Sequence, residues 1–113
     1  MLFSGLTVTF LKQFLLGVWL TAPMLLCLAC AIGVLGQIAG KIEGWGKFES
    51  FYWSFVTATT VGYGDMRPSR NSSRMISIAI ALLGLVMTGI EIALAVHAAT
   101  QALTAHAGAL INQ

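Results

Sequence analysis

Thr59-Thr60-Val61-Gly62-Tyr63-Gly64-Asp65 is the stretch on which the fold turns. Its two glycines alternate with larger residues. A backbone that points successive carbonyls the same way must put some residues at positive φ, and Gly62 and Gly64 accept that without a Cβ clash. The spacing does not make a dinucleotide fingerprint, because Asp65-Met66-Arg67 stands where a third glycine would be required. Directly upstream, Phe48 to Ala58 is an aromatic run of eleven residues. As a helix it reaches only about 16 Å, roughly half of a membrane. A half-spanning helix that ends in a glycine-rich loop reads as a re-entrant element. Such a loop persists at membrane depth only where protein or a water-filled cavity surrounds it.

The bulk composition agrees with a membrane setting. The chain has 113 residues, 58% hydrophobic and only 9% charged, whereas a soluble domain carries roughly a quarter charged residues. The net charge of +2 is small and scattered, which argues against nucleic acid as a partner. No charged residue falls between Lys12 and Lys41. Phe14 to Gly36 makes a helix of about 34 Å, enough to cross a hydrocarbon layer of about 30 Å. Pro23 removes a backbone donor and predicts a bend. The run is too long for a signal-peptide core, and Gln37 to Lys41 offers no strong cleavage site. Gln37 to Lys47 reads as a polar, glycine-punctuated loop, with Trp45 suited to the membrane interface. Gly36-x-x-x-Gly40 has two readings, a close-packing motif or a plain helix stop. Cys27 and Cys30 have no nearby histidine or second cysteine pair, so they read as small packing residues rather than a metal or redox site.

Beyond the glycine-rich stretch, Met66 to Arg74 is a polar return loop, with helix-capping candidates in Asn71-Ser72-Ser73 that also fit a glycosylation sequon. A second apolar span runs from Met75 to about Val96, broken only by Glu91, and continues as an alanine-rich helix toward Thr104. The tail to Gln113 is too short for a further domain.

Residues 59–65 resemble the selectivity filter of potassium channels, the TVGYG loop that is the standard instance of a carbonyl-lined filter. From about residue 14 to 104 the chain resembles the bacterial-type potassium channels that consist of a pore domain with two transmembrane helices. That resemblance implies an all-α membrane protein and a single pore domain over 1–113. The outer helix falls at about 13–37, the re-entrant pore helix at 47–59, the filter at 60–65 and the inner helix at 74–104. It also implies a fourfold-symmetric homotetramer in the lipid bilayer of the cell membrane, with K+ as the conducted ion, no nucleic acid, no enzymatic activity and an unknown cytoplasmic regulator, if any. Carbonyls of Thr60, Val61, Gly62 and Tyr63 would replace the water around K+, with the Thr60 hydroxyl as a lower ring and Gly64 completing the loop. One copy cannot encircle an ion, so several must assemble. Tyr52, Trp53 and Asp65 stand at the family's bracing positions, which implies an indole N–H to carboxylate bond from Trp53 to Asp65. Val56 stands where some bacterial members have a glutamate, so that carboxyl pair is missing. Weakly selective relatives alter the tyrosine or glycine of the filter, and this chain alters neither.

For the second span the resemblance assigns Gly84 to a hinge position, with close packing under the filter as the other reading. Leu85, Thr88, Ile92 and Val96 fall on the face that lines the cavity. Glu91 has two readings, an acidic ring in the pore or an interfacial carboxyl, because a charge within a span costs at least about 2.5–3.5 kcal/mol. His97 and His106 read either as pH-sensing rings or as interfacial polar residues. Arg67 sits at the outer mouth, where four copies would repel an external organic cation. The implied topology leaves Lys12 inside and puts Lys41, Lys47, Arg67, Arg70 and Arg74 outside, against the positive-inside rule. The 113 residues contain no arginine-rich voltage-sensing helix.

Overall fold

The computed structural model describes residues 2–111, with side chains over 3–108. Met1, Asn112 and Gln113, which the single-domain expectation includes, lie outside the described residues. The chain is all-helical: α1 covers Leu2–Glu43, α2 covers Lys47–Ala58 and α3 covers Asn71–Ile111. α1 and α3 are each long and apolar enough to cross a membrane, since about 20 apolar residues suffice.

Both long helices run further than the 13–37 and 74–104 expected from sequence. Isolated polar residues such as Lys12 and Lys41 do not end a helix. The stretch from Gln37 to Glu43, expected as loop, continues α1, and Gly36-x-x-x-Gly40 is not a stop. The chain turns only at Gly44, whose φ of +79° no right-handed helix accommodates. α1 passes through Pro23 without interruption.

Two compact units divide the contacts, residues 1–23 with 89–113, and residues 24–88. In the first, Ala98 and Ala102 are buried. Gly17 leaves room for a Leu94 methyl, and Gly5 for the His106 ring, each 2.9 Å from where a Cβ would stand. Thr9 Oγ1 lies 3.3 Å from His106 Nε2. His106 is therefore an interhelical polar residue in this unit, while His97 is exposed. Leu6, Thr7, Phe10, Ala99, Ala102 and Leu103 line an open apolar hollow of about 350 Å³.

In the second unit, Ile32, Ala39, Trp53, Ala58 and Ile80 form the core, flanked by Leu35, Trp45, Phe55 and Met87. α2 is held there by glycines on two sides. A Cβ on Gly36 would stand 2.4 Å from Ser54 Cβ, and one on Gly40 would stand 1.8 Å from Ser50 Oγ. Ser50 and Ser54 are fully buried, and their hydroxyls donate to their own helix, to Gly46 O at 2.8 Å and Phe51 O at 2.8 Å. Small residues four apart on both helices let the backbones approach, as in membrane helix pairs. On the other side, a Cβ on Gly84 would stand 2.0 Å from the Ala58 carbonyl oxygen. Of the two readings of Gly84, close packing is the one observed here, and α3 is unbroken through it.

Candidate functional site

The site is the loop from Thr59 to Arg70, which α2 delivers and α3 receives. Glu49 lies in the first turn of α2, and the Gly46 amide points at its carboxylate. At the far end, Thr59 N–H donates to Phe55 O at 2.9 Å and Thr60 N–H to Thr57 O at 3.1 Å. The Thr59 hydroxyl adds a second bond to Phe55 O at 2.7 Å. The carbonyl end of α2, with its partial negative charge, thus lies where the loop begins.

Helical winding stops at Thr60, whose φ is +66°. Gly62 and Gly64 follow at +51° and +80°, while Val61 and Tyr63 between them stay at negative φ. The sign of φ therefore alternates over five residues. The two glycines behave as the sequence predicts. Thr60 is the surprise, because a β-branched residue at positive φ is strained by about 1–3 kcal/mol. Part of what holds it is a bond back to α2, from Gly62 N–H to Val56 O at 3.2 Å. Val61, Gly62, Tyr63 and Gly64 are exposed in the single chain.

The bracing pair differs from expectation. Trp53 makes no bond to Asp65. It is buried and packs against Trp45, with ring centroids 5.1 Å apart. Tyr52, one residue earlier and so about 100° around the helix, is the residue that meets Asp65. Tyr52 and Asp65 line one hollow together with Trp45, Glu49 and Arg67. Asp65 Oδ1 also accepts the Met66 amide at 3.1 Å. Arg67 folds back over the loop and donates from Nε to Gly64 O at 3.3 Å. The guanidinium thus lies beside the Gly64 end of the loop.

A residue missed at the sequence level closes the site. Glu43, the last residue of α1, accepts the Ser69 amide, the Ser69 hydroxyl at 2.8 Å and the Arg70 amide at 3.0 Å. It ties the end of α1 to the start of α3, across the whole excursion that carries α2 and the loop. Composition gave no hint, because a glutamate among lysines in a polar stretch reads as solvated. Glu43→Ala is expected to free the Ser69 and Arg70 amides. Their hydrogen exchange should rise well above that of buried α2 amides, and unchanged exchange would count against the clasp.

The other candidates of the second span lie on α3. Leu85, Ile92 and Val96 are exposed and Thr88 is half-buried. Glu91 is exposed too, yet it is seven residues from the buried Ala98. Seven residues are two helical turns, so Glu91 shares the register of the α1-facing stripe in its unit, not that of Ile92 and Val96.

Comparison with known proteins adds the family. A family profile described as ion channel matches residues 2–101. Among similar proteins, the TWiK family of potassium channels protein 7 of Caenorhabditis elegans is 47% identical over 53 residues, 47% of this chain and 10% of that protein. Two-pore potassium channel 1 of Arabidopsis thaliana is 38% identical over 72 residues, 58% of this chain and 20% of that protein. A voltage-gated potassium channel of Aeropyrum pernix is 47% identical over 38 residues, 34% of this chain and 13% of that protein. The chain therefore spans a fifth or less of the length of these relatives. No solved structure matches it.

Proposed function

The chain belongs to the ion channel family and spans the membrane, and from that premise we propose that it is a potassium-selective pore, conducting K+ passively down its gradient. Four copies surround one axis. Carbonyls of Thr60, Val61, Gly62 and Tyr63 replace the water shell of the ion, and the Thr60 hydroxyl adds a further ring. α2 is the re-entrant pore helix, and 60–65 is the filter. Tyr52, Asp65 and buried Trp53 brace that loop from behind, Gly84 packs beneath it, and Arg67 sits at its exit.

The observation that carries this reading is the alternation of φ at Thr60, Gly62 and Gly64. A turn or a nucleotide-binding loop has no need of left-handed residues at every second position. A column of carbonyls does. The ion is cargo, not a cofactor, and the chemistry is desolvation rather than bond making, so the reading is a channel and not an enzyme. That these relatives are potassium channels supports the choice of ion.

The test is reconstitution of the chain into vesicles with opposed K+ and Na+ gradients. The expected result is uptake of tracer K+ with little Na+ competition. Equal fluxes of the two ions would overturn selectivity, and a tight vesicle with neither flux would overturn conduction.

A further inference from the structure

Arg67 Nε donates to Gly64 O at 3.3 Å, so a positive charge rests on the last carbonyl of the glycine-rich loop. A guanidinium keeps that charge at every pH the protein meets. We propose that Arg67 is a tethered competitor of the conducted ion. Its guanidinium holds the Gly64 carbonyl until K+ displaces it, and it then swings into the hollow beside the loop. Resting on the potassium reading above, this adds a residue that sets how tightly the Gly64 end of the loop holds the ion.

The contact is weak. At 3.3 Å it lies just beyond the usual N–H···O range of about 2.7–3.2 Å. Among the described residues the side chain makes no second hydrogen bond and no ion pair. It therefore lacks the bidentate carboxylate pair that fixes an arginine in place. The charge is nevertheless close to the loop. Nη2 and Nε lie 3.5 and 3.6 Å from where a Cβ on Gly64 would stand, so the guanidinium sits over that residue.

A second seat adjoins the first. Arg67 also lines a hollow of about 670 Å³ with Trp45, Phe48, Glu49, Tyr52 and Asp65. Carboxylates and aromatic rings are the groups a guanidinium meets best, through charge and through cation–π contact. A displaced Arg67 thus has compensating partners within the same unit. The rival role is a brace on the loop, which needs the hydrogen bond but not the charge. Competition needs the charge. Glutamine keeps a donor and lysine keeps the charge, so the two substitutions separate the roles.

The test uses the full chain in detergent, with K+ and Na+ exchanged at constant ionic strength. Solvent exchange of the arginine Nε–H groups is followed by nuclear magnetic resonance. K+ is expected to speed exchange at Arg67, and Na+ is not. Arg74 is the internal control, because its Nε donates to Pro68 O at the same 3.3 Å, outside the proposed filter. Calorimetry then gives the K+ affinity of each variant. Arg67→Gln is expected to bind K+ about fivefold tighter, the factor for removing one like charge about 4 Å away in water. Arg67→Lys should stay near the parent. Glu49→Gln, which removes a charge from the second seat, should weaken K+ binding, and should lose that effect when combined with Arg67→Gln. Equal K+ affinity in the parent and Arg67→Gln would overturn the proposal. So would a gain in Arg67→Lys as large as in Arg67→Gln, or exchange at Arg67 that ignores K+. A Glu49→Gln effect that persists alongside Arg67→Gln would overturn the second seat. Failure of both the parent and Arg67→Gln to prefer K+ over Na+ would overturn the potassium reading and, with it, the competition.

Discussion

Gly84→Ala is expected to lower the unfolding midpoint of the chain in detergent and to abolish flux, while Gly89→Ala raises the midpoint. Two effects compete at each position. Alanine gains about 1 kcal/mol over glycine in a helix interior, and overpacking typically costs about 1–3 kcal/mol. At Gly89 nothing lies within 4 Å of the new Cβ, so propensity wins. At Gly84 the nearest atom is the Ala58 carbonyl oxygen at 2.0 Å, with Ala58 C and Cα at 2.6 Å. Those are backbone atoms, and no rotamer relieves the clash. Packing therefore wins, with a net loss of about 2 kcal/mol near the top of the overpacking range. The displaced element is the last turn of α2, which delivers Thr59 and holds Gly62 through Val56 O. A glycine that served only as a hinge would give the opposite result, since alanine would stiffen α3 and raise the midpoint. Thermal unfolding of the two variants, followed by circular dichroism, separates packing from hinge without any assumption about conduction.

What could be read from the sequence divides along physical lines. Terms that act along the chain were legible. Hydrophobic length gave two spans and a short helix between them, and glycine spacing gave positive φ at Gly62 and Gly64. Terms that act across the chain were not. Ser50 and Ser54 carry the same four-residue spacing as Gly36 and Gly40, and that match was the available signal for the α1–α2 contact. Close packing was one of the two readings of Gly36-x-x-x-Gly40, but nothing along the chain named Ser50 and Ser54 as its partners. Tyr52 and Trp53 are adjacent, and only the rotation of α2 decides which one meets Asp65. Trp53 turns toward Trp45 and the core because the indole is the larger apolar group to bury. Glu43 gives no signal at all, since its partners are backbone amides 26 and 27 residues away. Thr60 at positive φ runs against its own propensity, and such local conflicts concentrate at sites whose geometry function requires.

That conflict frames the second large effect, Gly62→Ala, where function and fold should part. The Cβ added at Gly62 meets no atom within 4 Å, and a φ of +51° lies inside the small left-handed region open to other residues. The strain is about 1–2 kcal/mol in one chain, so the variant should fold, reach the membrane and keep most of its thermal stability. In the proposed pore, however, four copies act on a single ion path. The same strain then sums to about 4–8 kcal/mol against the one arrangement in which all carbonyls face the axis. Each 1.4 kcal/mol is tenfold in an equilibrium, so potassium flux should fall by at least about a hundredfold. Any residual flux should discriminate poorly between K+ and Na+, because carbonyls released from their positions no longer match one dehydrated ion better than another. The check is paired flux and unfolding measurements on the same preparation. Loss of flux with a nearly unchanged midpoint is the expected result. Parent-like selective flux in Gly62→Ala would mean that the alternating backbone at 60–64 is not the ion path.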